Sequence, residues 1–485
     1  MAHQVPFPRR TIPLLDNPRD SDYAIIMLRF LQQGTTLLSI CLIGACASYH
    51  PLPLKNTDFV PDAEAIRILS DSISHPLLPP LIVDYRNGLS PEEAAVMAVI
   101  VNPHLKALRD ERGRAAAQVL QAGLLPNPTF SYGFESPRGR NAGEKENAVS
   151  YGVNWNITSL LSRNGTIRSE KKHAASVDLD IAWSEWQTAE AAKLHLYRLV
   201  LSQSQRPLWE ELLRNVREEY AAERRVVELG LADRSTLAAE RNRLLRARDS
   251  LEQNRYHIER ERLALNRALG VPPEMKLKPE TGVVFAPPRG LPDESELTKN
   301  LETRRLDLLA LRRGYESQEE KVRRAILRQF PRINIGFLTA RDIDSVKTNG
   351  AEISITLPLF NQNQGEIARE RATRKQLFDE YNARLFDARS EIGKILNEIA
   401  AVRAKIETVN TEIDNLLLQK RWAKKAADDG RTDIFDYYKT VSRLLKKQLE
   451  KRSLQGRLAD LVIALEISSG RTLIGTIPAD RSHER

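Results

Sequence analysis

The chain has 485 residues, a net charge of +9, only 6% aromatic residues and 28% charged ones. Both charge signs alternate along it, as in Glu218–Arg225 and Glu240–Arg248, so the positive excess reads as solvated helix faces and not as a nucleic-acid surface. The two cysteines, Cys41 and Cys46, share one apolar run, which excludes a disulfide framework and a thiolate metal site and suits an oxidising compartment.

In chain order, residues 35–45 form that apolar run, Thr-Thr-Leu-Leu-Ser-Ile-Cys-Leu-Ile-Gly-Ala, shorter than the roughly 20 residues of a membrane-spanning helix. It reads as the core of an export signal, with residues 1–45 as the targeting segment. Met27 fits as the true start, because residues 1–26 are polar and carry Asp16, Asp20 and Asp22. Ile43-Gly44-Ala45-Cys46 resembles a bacterial lipobox and marks Cys46 for lipid attachment, the alternative being an ordinary signal peptide cut nearby.

Residues 46–88 are rich in proline between Pro51 and Pro80 and are expected to be extended. A first repeat, 89–275, opens on Ser90-Pro91-Glu92-Glu93, a helix N-cap with proline at the first position and acids in the first turn, and that helix is expected to reach Gly123. The period then changes to two. Phe130, Tyr132 and Phe134 alternate with polar or small residues, as do Tyr151, Val153, Trp155 and Ile157. The linker is 276–295 and the second repeat 296–470, followed by a tail, 471–485. In the second repeat Ile333, Ile335 and Phe337, then Ile353, Ile355 and Leu357, show the same alternation. Polar loops, Pro137–Asn147 and Arg341–Asn349, join each strand pair.

Long stretches almost free of Gly and Pro follow each pair: 165–204, 208–269 and 365–469. About 60 helical residues reach on the order of 90 Å, more than a compact core needs. The halves align at an offset of 200: Gly165, Gly230 and Gly270 answer Gly365, Gly430 and Gly470, and Asp233 answers Asp433. Gly165, Gly230, Gly365 and Gly430 are the expected structural breaks. The hairpins are expected to turn at 202–208, where Pro207 disfavours an unbroken helix, and at 405–411, placing Gln205, Pro207, Glu407 and Asn410 at docking tips.

Four strands of about ten residues, each apolar on one side, are units of a membrane β-barrel, yet four cannot close one. Two copies give eight strands and three give twelve. The eight histidines lack metal-ligand spacing, and no nucleotide-binding loop, nucleophile elbow or zinc-helix motif occurs, so neither an enzyme nor a cofactor site is expected. An exported coiled-coil protein would instead show sustained heptads, and a periplasmic adaptor a single helical hairpin.

Over residues 88–470 this plan resembles the TolC-type outer-membrane factors. Residues 89–105, Gly-Leu-Leu-Pro-Asn-Pro at 123–128 and Leu-Pro-Leu-Phe-Asn-Gln-Asn-Gln-Gly-Glu-Ile-Ala at 357–368 are similar to its heavy-metal, Czc/Cus-like branch, although residues 157–161 lack the Pro-Leu-Phe form. The resemblance implies a mainly α fold with a small β part, a homotrimer with a twelve-stranded barrel in outer-membrane lipid, and an α-helical barrel in the periplasm. It implies a passive duct for heavy-metal cations, docked to a periplasmic adaptor (a membrane fusion protein) and an inner-membrane pump of the resistance-nodulation-division type, with multidrug export as the alternative. In that frame Gly165 and Gly365 mark strand-to-helix transitions, and Gly230 and Gly430 breaks level with an equatorial belt.

Overall fold

The computed structural model describes residues 49–54, 63–71, 73, 75–138, 145–285, 288 and 290–474. The targeting segment, Met27, Cys46 and the tail beyond 474 lie outside them. The chain divides at Asp58 into two units; of the first, residues 49–54 are described and have no regular secondary structure. Everything below concerns the second.

The proline-rich stretch is not wholly extended. Helix α1, Ala63–Asp71, forms in the proline-free interval between Pro61 and Pro76. Ser90 then caps α2 (Pro91–Val101) with a full capping box: the Glu93 N–H donates to Ser90 Oγ at 3.2 Å, and the Ser90 N–H donates back to Glu93 Oε2 at 3.0 Å. The helix expected to run to Gly123 breaks at Asn102. Pro103 lacks an N–H, so it starts a second helix, α3 (Pro103–Gly123), under an Asn102 cap that accepts the His104 N–H at 2.9 Å.

Strands β1 (Thr129–Glu135) and β2 (Ala148–Asn156) follow, then α4, Thr158–Glu228, and α5, Arg234–Leu269. After a segment carrying the short α6 (Glu294–Thr298) and α7 (Leu301–Arg304) come α8 (Leu306–Leu327), β3 (Arg332–Arg341), β4 (Lys347–Thr356), α9 (Gln364–Asp428) and α10 (Ile434–Ser469). The four strands make one antiparallel sheet in the order β1-β2-β3-β4. α5 and α10 are each 36 residues long, begin after Asp233 and Asp433, and end on the left-handed Gly270 and Gly470.

The hairpins do not turn where the proline suggests. Pro207 lies inside α4, a single helix of 71 residues and therefore ~105 Å, and Gln205 lies there with it. Glu407 and Asn410 lie inside the 65-residue α9. Proline costs a helix interior about 3 kcal/mol, but the flanking Leu212 and Val216 bury against Ala247, Val441, Leu445 and Leu449 of the two return helices. That apolar burial, at ~1.5–3 kcal/mol per large side chain, outweighs the penalty. Gly165 sits inside α4, while Gly365 is the second residue of α9.

At mid-height the two repeats repeat a packing device. A Cβ on Gly270 would stand 2.6 Å from Asn102 Cα, and one on Gly470 3.3 Å from the Arg304 carbonyl oxygen. The start of α3 thus seats on the end of α5, and the start of α8 on the end of α10. The linker segment is part of this core, since Phe285 is buried edge-on against Tyr197.

Candidate functional site

Two regions carry chemistry that the rest of the fold does not: the face of the sheet and the far ends of the hairpins. The register settles the first. Phe130 pairs with Val153, Val153 with Phe337, and Phe337 with Ala351. The rows beside it are Trp155, Ile335 and Ile353 on one side and Tyr132 and Tyr151 on the other. Alternation within each strand would be worthless if neighbouring strands were out of phase; here the two rows through Val153 and Trp155 stay apolar across the sheet, whereas the Tyr132–Tyr151 row continues into Thr339 and Asn349. Phe130, Tyr132, Tyr151, Val153, Phe337, Ile353 and Ile355 are all exposed on this face. The opposite face carries Ser131, Ser150, Asn154, Asn334, Glu352 and Ser354, with Gly133, Gly152, Gly336 and Gly350 among them.

At the helix-side end of the sheet the Trp155 indole N–H donates to the Pro126 carbonyl at 2.7 Å, and the Arg163 Nε donates to the Gly123 carbonyl at 2.9 Å. These bonds tie the Gly-Leu-Leu-Pro-Asn-Pro segment across the start of the sheet, and an apolar cavity of about 460 Å³ lies between it and Val153, Trp155, Ile157, Ile335 and Phe337.

The hairpin ends lie at 229–233 and 429–433, about 105 Å of helix away from the sheet in the first repeat. Gly230 and Gly430 are therefore the turns themselves and not breaks at mid-height. Both adopt the left-handed conformation, with φ of 76° and 67°. The N–H of Gly230 donates to the Val227 carbonyl and that of Leu231 to the Val226 carbonyl; Gly430 and Arg431 do the same to Ala427 and Ala426. This bond pair closes a helix around a residue that lacks a Cβ. Asp233 and Asp433 then cap the return helices. Hydrogen bonds from Ser235 hold the Asp233 carboxyl below the usual carboxylate range. The two ends share a backbone but differ in surface: Leu229 and Leu231 are exposed at the first, whereas Asp429 and Arg431 pair at 3.4 Å at the second.

Where the repeats meet at mid-height, the helices enclose a buried ionic cluster for which the sequence has no local signal. Lys193 Nζ lies 2.6 Å from Glu190 and 3.4 Å from Glu466, and 5.4 Å above the Trp186 ring. Glu466 Oε1 also accepts the N–H groups of Leu473 and Ile474, the latter at 2.7 Å. Burial pushes the Glu190 carboxyl well above the usual range, against the pull of Lys193. Among the described residues no group of three or more His, Cys, Asp or Glu is gathered for a metal, and no helix is long and apolar enough to cross a membrane.

Residues 97–271 match the family profile described as outer membrane efflux protein. No curated protein matches the chain by sequence. Among solved structures, CusC is 14% identical with a TM-score of 0.64, covering 87% of this chain and 99% of its own. The Campylobacter jejuni CmeC outer membrane channel is 14% identical with a TM-score of 0.64, covering 88% and 95%. The open Neisseria gonorrhoeae MtrE outer membrane channel is also 14% identical, with a TM-score of 0.64 and coverage of 83% and 98%. Residues 97–271 thus carry the sequence pattern of the outer membrane efflux proteins, and over 83–88% of its length the chain has the fold of these channels.

Proposed function

We propose that the protein is the outer-membrane channel of a tripartite efflux system, a passive duct with its helical part in the periplasm. The observation that carries this reading is the apolar band that crosses all four strands through Phe130, Val153, Phe337 and Ala351, with Trp155, Ile335 and Ile353 beside it, on a sheet whose edges are β1 and β4. In lipid, each unpaired backbone group costs several kcal/mol, so the edges must be joined by other copies. Three chains supply twelve strands, with the polar, glycine-bearing face turned to a lumen. Mass measurement of the detergent-extracted protein should give a trimer; a stable folded monomer would overturn the reading.

The hairpin ends at 229–233 and 429–433 are then the docking points for a periplasmic adaptor fed by an inner-membrane pump. Cysteines at Leu231 and Arg431 should crosslink to the adaptor, and cysteines at Gln205 and Asn410 should not. Crosslinking confined to the latter pair would return the docking level to the middle of the helices.

For cargo we favour heavy-metal cations, delivered by a pump of the resistance-nodulation-division type. The support is the resemblance of residues 89–105 and 357–368 to the metal-efflux branch. A duct needs no ligand set of its own, because tight ligation would slow passage. Deleting the gene should raise sensitivity to zinc, cobalt, cadmium, copper or silver. Hypersensitivity to drugs with unchanged metal tolerance would assign the duct to multidrug export.

A further inference from the structure

We propose that His75 is an acid-released latch: when neutral it pins the strap that precedes α2 against α4, and when it takes up a second proton the strap lifts. The inference goes beyond the channel reading and does not depend on it.

The strap, residues 75–89, is anchored firmly at its far end. The Leu89 N–H donates to the Lys278 carbonyl and the Glu280 N–H to the Leu89 carbonyl, both at 2.9 Å. Gly88, with φ of 101°, lies so close to the linker that a Cβ on it would stand 2.7 Å from Glu280 Cα. The near end is held by His75. Its Nε2 bonds the Ala182 carbonyl on α4 at 2.9 Å, while its Nδ1 bonds the Leu77 and Leu78 N–H groups at 3.1 and 3.2 Å. These partners fix the tautomer: a carbonyl only accepts, so Nε2 carries the hydrogen, and an amide N–H only donates, so Nδ1 is bare. The turn so formed delivers Leu78 to a buried cluster with Ala95, Val99, Trp183 and Trp186, to which Leu306 of the second repeat also belongs.

This arrangement has no place for a second proton. A hydrogen on Nδ1 would point at two N–H donors and strip both of their acceptor, where the His75 side chain is only 3% exposed and water cannot step in. The charged neighbours do not offset that loss. Glu185 Oε2 on α4 lies 3.8 Å from Nε2 and would favour a positive ring, but Glu185 Oε1 already holds Arg109 Nε of α3 at 2.6 Å. Arg109 also donates from Nη2 to the Val99 carbonyl at 2.6 Å, and Arg112, paired with Asp178 at 3.1 Å, adds a second positive charge from α3. Burial therefore dominates and holds His75 below its ordinary value of 6.5, against the pull of the Ala182 carbonyl and Glu185. A histidine lowered in the fold stabilises it fully above the ordinary value, and that contribution is lost as the pH falls through the folded value. Acid thus opens the near end of the strap while the bonds at Leu89 keep it tethered, and the cluster that seats α4 against the second repeat is uncovered.

The test uses the full chain with Cys41→Ser and Cys46→Ser, carrying one nitroxide-labelled cysteine and followed by electron paramagnetic resonance. Ile82→Cys, exposed on the strap, is the reporter, and Leu120→Cys, exposed on α3, is the control. The mobile fraction at 82 should rise several-fold between about pH 7.5 and about pH 5, with a midpoint below the ordinary histidine value, while that at 120 stays constant. His75→Gln keeps a donor and an acceptor but does not titrate, so it should hold the strap immobile across the whole range. His75→Asn is the second variant should the first fail to fold. A flat response at 82 in the parent would overturn the latch, and so would an unchanged rise in the His75 variants. A midpoint above the ordinary value would assign the response to another group and overturn it as well. Mobility rising at 82 and 120 together would mean that the fold loosens as a whole, which would also defeat the proposal.

Discussion

Replacing Lys193 by methionine is expected to destabilise the helical part by about 3–5 kcal/mol, the usual loss when one partner of a buried ion pair is removed. The side chains of Glu190 and Glu466 have no exposed surface and that of Lys193 almost none, so water cannot replace the missing ammonium. The loss should appear as a lowered denaturant midpoint of the helical circular-dichroism signal. Adding Glu190→Gln and Glu466→Gln to Lys193→Met removes the ions but keeps an acceptor for the Leu473 and Ile474 N–H groups, and should recover most of the stability. A single variant as stable as the parent would show that the cluster is solvated. The pH dependence has a defined sign. Glu190 is raised in the fold, so its contribution is fully present below its ordinary value of 4.5 and is lost as the pH rises through the folded value. Glu190→Gln should therefore flatten the fall of stability with rising pH.

The second large effect is expected at Phe337→Arg. Phe337 is exposed at the centre of the apolar face, paired with Val153 and Ala351. An arginine facing lipid near the middle of a barrel costs about 2–4 kcal/mol per chain, and in the proposed trimer that cost would be incurred three times, so assembly should fail. Ser354→Arg, on the opposite face, should assemble and alter only the lumen. Heat-resistant trimers on gels of outer-membrane fractions give the readout. Normal assembly of Phe337→Arg with failure of Ser354→Arg would mean that the sheet faces the other way.

Much of this architecture is written in local patterns. The period-two alternation at 130–134, 151–157, 333–337 and 353–357 identifies the four strands because side-chain direction alternates with every residue of a strand. The mainly α character follows from the long runs free of Gly and Pro. The position of the hairpin turns was also legible, in Gly230 with Asp233 and Gly430 with Asp433, but Pro207 competes with them as a break signal. Sequence cannot weigh the two, because the penalty at Pro207 is local whereas what offsets it is packing against α5 and α10.

What the sequence by itself determined is therefore the kind of each element: amphipathic strands in two pairs, helices too long for a compact core, and a repeat in which Asp233 and Gly270 answer Asp433 and Gly470. What only the tertiary structure decided is how those elements meet. The phase of β2 against β3, with Val153 opposite Phe337, joins residues 184 positions apart in the chain and creates the apolar band. The burial of Lys193 between Glu190 and Glu466 likewise depends on α10 returning to α4. A charge pattern along one helix is the same whether that helix faces water or another helix, so burial, and with it the energy of a charge, is a property of the partner and not of the segment.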